Sequence, residues 1–85
     1  MKRKHAKTLA LLFKHPVSGS VRFDDALALL RELGASVETN REGSRIAVVL
    51  FGQVRVLHKP HPSPTMGKGA VASLRDWLEI NGVRP

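Results

Sequence analysis

The chain has no cysteine. That excludes a disulfide framework, a thiolate zinc site and a cysteine nucleophile. It also lacks a long apolar run. The one behind the basic start, Leu9 to Phe13, spans five residues before Lys14. A signal peptide needs roughly 7–15 apolar residues and a small-residue cleavage site, and a membrane span needs roughly 20. The chain therefore reads as soluble and cytoplasmic, with no membrane partner. Acids are scarce: 7 Asp plus Glu stand against 14 Lys plus Arg, a formal net charge of +7. With a pI near 10.9, the expected partner is a polyanion, RNA or DNA first and an acidic protein second.

What is present is one small domain, residues 1–85. Eighty-five residues are too few for a two-lobed enzyme with its own cofactor cleft. A chain of this size buries roughly 60–65% of its unfolded surface, a modest core that needs no staples. The 42% apolar content argues against disorder. The charge is segregated. Lys2, Arg3, Lys4, Lys7, Lys14 and Arg22 precede the first acid, Asp24. A second acid-free stretch, Gly43 to Arg75, carries Arg45, Arg55, Lys59, Lys68 and Arg75, with His58 and His61 inside it. Folded side by side, the two stretches would form one basic face.

Hydrophobic spacing gives the elements. Ala6, Leu9, Ala10 and Phe13 recur at i, i+3, i+4 and i+7, predicting a helix over about 3–14 that stops before Pro16. Phe23, Ala26, Leu27, Leu30 and Leu33 predict a second over about 23–33, with Asp24 and Asp25 at its positive end and Gly34 just past its last turn. The period then falls to two. A short strand covers 35–40, and Asn40-Arg-Glu-Gly43 is turn chemistry. Arg45 to Phe51 is a β-branched strand, Gly52-Gln53 a two-residue turn, and Val54 to His58 the return strand. Pro60, Pro62 and Pro64 forbid regular structure over 59–65. Val71, Leu74, Trp77 and Leu78 predict a last helix over about 68–80, closed by Asn81-Gly82. The expected fold is α+β: an antiparallel three-stranded meander in an α-β-β-β-α core, with an extra N-terminal helix. Residues 1–20 are then an extension and 21–85 the core. The first helix must bury its stripe, on the second sheet face or in a dimer.

With Gly52-Gln53 as the turn, Phe51 faces Val54, Val49 faces Val56, and Ala47 faces His58. Parity puts Arg45, Ala47, Val49, Phe51, Val54, Val56 and His58 on one sheet face, and Ile46, Val48, Leu50, Arg55 and Leu57 on the other. Arg45 and His58 become diagonal neighbours, roughly 7–8 Å apart. RNA carries its own nucleophile, the 2′-hydroxyl. Cleavage needs a base for that proton, an acid for the leaving 5′-oxygen and a cation for the phosphorane. Imidazole serves as acid or base near neutral pH, and a guanidinium holds phosphate bidentately. No metal or cofactor is required. The acids form no carboxylate cluster, and His58-Lys-Pro-His61 supplies only two ligands. Gly67-Lys68-Gly69 offers amides and a cation to phosphate, without the remainder of a Walker loop. Trp77, Phe51 and Phe23 read as core. No exposed recognition-helix pattern supports a DNA-binding accessory role.

Taken together, Leu27 to Leu33, Gly34-Ala-Ser-Val37, Gly43-Ser44-Arg45, the Val54-to-Leu57 strand, His61, and Lys68-Gly-Ala-Val71 through Leu74 to Asn81-Gly82-Val83 resemble the HicA family of toxins. The resemblance covers about residues 23–84. It implies a double-stranded-RNA-binding-like fold, a type II toxin–antitoxin system, and an endoribonuclease that cleaves mRNA (an mRNA interferase). It also implies neutralisation by a HicB-like antitoxin, in a hetero-oligomer with it. The family places a catalytic His where this chain has Arg45. A guanidinium cannot act as a base near neutral pH. So His58 or His61 carries the proton and Arg45 holds phosphate, or the chain is a non-catalytic RNA-binding module. Arg55, Lys59, Lys68 and Arg75 are the expected RNA contacts.

Overall fold

The computed structural model describes residues 1–39 and 44–85. The expected Asn40–Gly43 turn lies outside them. The order is α1 (Arg3–Leu12), α2 (Phe23–Glu32), β1 (Ser36–Thr39), β2 (Arg45–Leu50), β3 (Gln53–His58) and α3 (Lys68–Ile80). The strands form an antiparallel sheet in the order β1-β2-β3. This is the expected α+β architecture with its N-terminal helix.

Glycine closes α2 and α3 by one device. Gly34 (φ +107°) and Gly82 (φ +84°) take left-handed backbone that side chains resist. Behind them, Ala35 N–H donates to the Leu30 carbonyl at 2.9 Å, and Val83 N–H to the Leu78 carbonyl at 2.9 Å. The chain is thus turned back at each helix end and the last carbonyls are satisfied.

The sheet has one covered face and one open face. Ile46, Val48 and Leu50 are buried with Phe23, Leu27, Leu30, Val71, Leu74, Trp77 and Leu78 from the helices. On the other face Val49, Val54 and Val56 are 40%, 67% and 54% exposed. The sequence reading had the faces right for every strand residue except Phe51, and the register wrong. The turn is Phe51-Gly52, not Gly52-Gln53: Leu50 pairs with Gln53, Val49 with Val54, Ala47 with Val56 and Arg45 with His58. Both turn residues have positive φ, +57° and +69°, as a two-residue hairpin matched to strand twist requires. The error was two residues, and strand faces repeat every two, so parity survived. Phe51 leaves the Arg45 face. It stands edge-on to Trp77, ring centroids 5.5 Å apart.

α1 also departs from expectation. Its inward residues are His5, Thr8, Leu9 and Leu12, not the Ala6-Leu9-Ala10-Phe13 stripe. Two polar residues face inward: Thr8 donates its hydroxyl to the Lys4 carbonyl (3.1 Å), and His5 Nε2 lies 4.0 Å from Glu32. Ala6 and Ala10 are exposed. The helix does not lie on the second sheet face. It packs on α2 and α3, and Leu9 and Leu12 join the common core.

Candidate active site

Arg45 opens β2 and His58 closes β3, so the hairpin carries both to its open end. They are direct cross-strand partners, closer than the diagonal expected. Lys59 N–H donates to the Ser44 carbonyl at 2.7 Å, a hydrogen-bonded rung. Alternation makes the next pair, Arg45 and His58, a non-hydrogen-bonded one, the kind in which side chains approach most closely. Both side chains are exposed. A cation and an imidazole thus stand together on the open sheet face.

A shallow cleft of about 370 Å³ runs beside Arg45, lined also by Glu38, Thr39, Ala47 and Val56. Glu38 pairs with Ala47 and so shares the Arg45 face. The sequence reading missed this carboxylate, although the parity of β1 would have found it. His58 also borders an apolar slot of about 180 Å³, walled in part by Phe23, Met66, Leu74 and Trp77.

His61 lies elsewhere. With Lys59, Asp24 and Pro64 it lines a neighbouring cleft of about 260 Å³. Its loop is pinned at both ends. Lys59 bonds Ser44 at one end. At the other, Phe23 N–H donates to the Pro64 carbonyl (3.0 Å) and Met66 N–H to the Val21 carbonyl (2.7 Å). Arg22 and Thr65 are the bridged pair between them. The structure brings Arg45 and His58 together and sets His61 next door.

The four expected RNA contacts divide. Lys59 and Lys68 are exposed. Lys68 opens α3, and its stem passes over Gly19, where a β-carbon would meet it at 3.7 Å. Arg55 and Arg75 are occupied within the protein. Arg55 lies 5.2 Å above the Trp77 ring and donates to Ser73 Oγ at 3.3 Å. Arg75 has a side chain only 16% exposed, 3.3 Å from Asp76. Arg55 sits on the covered face beside Trp77, where a guanidinium seals an indole better than it meets phosphate. Among the described residues, no group of three or more His, Asp or Glu could hold a metal ion. No helix is long and apolar enough to cross a membrane.

Residues 23–82 match the family model of the HicA toxin of bacterial toxin–antitoxin systems. The match takes in both helices of the core, the whole sheet and the Arg45–His58 pair, and leaves α1 outside. The chain belongs to the HicA toxin family. No curated protein and no solved structure matches it.

Proposed function

We propose that this chain is a metal-independent endoribonuclease toxin acting on mRNA, with Arg45 as its phosphate-holding cation and His58 as its proton-transfer group. The observation that carries this reading is their direct pairing on the open sheet face. In the reaction, an RNA 2′-hydroxyl attacks its own phosphorus. His58 takes the hydroxyl proton, Arg45 neutralises the phosphorane oxygens, and a proton is returned to the departing 5′-oxygen. His61, one cleft away, is the second candidate for that last transfer. A HicB-like antitoxin, acidic where it meets this face, restrains the toxin by covering the pair.

A second reading follows from Arg45 itself. It stands where the family resemblance places a catalytic His, which favours a module that binds RNA without cutting it. Incubation with a long unstructured RNA in EDTA, at pH 6 to 8, separates the two. Cleavage by the natural chain, lost with His58→Ala by about 10²-fold or more and retained with His61→Ala, supports the assignment. Loss only with His61→Ala moves the chemistry to the loop. Salt-sensitive binding without cleavage at any pH selects the binding module.

A further inference from the structure

The net charge of this toxin does not reside in its HicA domain. Residues 23–82, the family-matched part, contain seven Lys and Arg and seven Asp and Glu, a net charge of zero. Two of those cations, Arg55 and Arg75, are turned to Trp77 and Asp76. The 22 residues before the match carry six cations and no acid, and Arg84 supplies the remaining charge of the +7. The expected single basic face does not form, because the cations of α1 ride on a helix packed against α2 and α3 and not on the sheet face that bears Arg45 and His58.

On α1 the cations are laid out for an outside partner. His5, Thr8, Leu9 and Leu12 face inward. The opposite ridge, by helical spacing, runs through Arg3, Lys7 and Ala10, and Lys14 follows just past the helix end. Lys2, Arg3, Lys7 and Lys14 are all exposed, as are Ala6 and Ala10 between them. Small alanines let a backbone come close to such a ridge. Lys4 alone has an acidic partner among the described residues, Asp25 at 3.7 Å. A cleft of about 400 Å³ opens beside this pair, lined also by Arg3, Lys7, Thr8 and Leu11.

We propose that α1 is a built-on phosphate-backbone grip for RNA, separate from the Arg45–His58 face, and that Lys2, Arg3, Lys7 and Lys14 supply most of this toxin's electrostatic affinity for RNA. The choice of RNA over DNA rests on the ribonuclease reading above. The partner is a polyanion because the outward face of α1 and its two flanks hold four exposed cations and no acid. It is read through its phosphates, because a row of Lys and Arg beside alanines offers charge and no base-edge code.

The test uses the full chain with all four residues changed to Gln. These positions are exposed, so the inward face of α1 is untouched and the circular dichroism and melting temperature should hold. A second variant, with Lys2, Lys7 and Lys14 changed to Arg, keeps the charge. Binding is measured on an RNA whose 2′-positions are methylated, which cannot be cut by 2′-hydroxyl attack, so grip and chemistry are scored apart. Each lost phosphate contact lowers the slope of log affinity against log salt by about 0.7 on a single strand, so the Gln variant should lose about 3 in slope. At 0.1 M salt its affinity should fall by about two orders of magnitude, with the Arg variant close to the natural chain. An unchanged slope and affinity would overturn the proposal. So would a loss confined to duplex DNA, or one confined to the antitoxin. A natural chain that binds this RNA through α1 yet never cuts unmodified RNA would defeat the ribonuclease reading and leave the grip standing.

Discussion

A guanidinium and an imidazole side by side divide phosphate chemistry between a fixed charge and a movable proton. That division makes Arg45 testable by degree. Lys at position 45 keeps the charge and loses the planar fork, so cleavage should fall by about tenfold. Ala removes both and should cost about 10²-fold or more. Single-turnover cleavage of a short RNA distinguishes them; equal rates for the two variants would mean that the fork contributes nothing. Much of this pair was legible in the sequence, because strand parity alone put Arg45 and His58 on one face. Arg55 was not. Its parity placed it correctly on the covered face, but nothing in the sequence showed that Trp77 would lie beneath its guanidinium. Arg75, named as an RNA contact, was misjudged likewise, because its neighbour Asp76 reads as an ordinary exposed helix acid until the side chains are placed.

The β2–β3 hairpin is set by a residue that ordinarily avoids its conformation. Phe51 sits at φ +57°, where a side chain costs roughly 1–2 kcal/mol. Edge-on contact with Trp77 returns about 0.5–1.5 kcal/mol beyond burial. Trp77 is fixed in turn, since its Nε1 donates to Gln53 Oε1 at 2.7 Å. Asn at position 51 tolerates left-handed backbone but loses the ring, and should destabilise by about 1 kcal/mol. Val loses the ring and adds a β-branch at positive φ, for about 2–3 kcal/mol in total. Thermal unfolding reads the difference as several degrees; equal melting temperatures would show that the turn holds no strain. This conformation also explains the misread register. Gly52-Gln53 looked like the turn because the rules for turns look for glycine first, and no rule of spacing nominates phenylalanine. On α1 the fault was similar: His5 and Thr8 occupy the inward face while two alanines lie outside. Where polar and small residues trade places, hydrophobic spacing names the helix but not its rotation.

At the scale of the whole molecule, α1 is integral to the fold although it lies outside the family match. Leu12 is fully buried with Leu29 and Leu30 of α2. Leu12→Ala should therefore destabilise the entire chain by about 2–5 kcal/mol. Denaturant unfolding should show this as one shifted transition. Two transitions, with only the first moved, would mean that α1 docks as a separate unit. The order of elements, the glycine stops and the core helices were all readable from periodicity, because each is a local pattern. The position of α1 was not, since amphipathicity says that a face is covered and is silent on what covers it.

The short ladder that joins residues 21–23 to residues 64–66 also has a consequence in time. It links two stretches that lie far apart in the chain, and contacts of that span form late because loop closure must come first. A ribosome delivers residue 21 early and residue 66 only when most of the 85 residues have been made. Until then the loop bearing His61 has no floor, and α3 has no fixed starting point. A nascent or truncated chain thus displays its cationic helix well before the cleft beside His61 is complete. The cleft that holds His61 is assembled late.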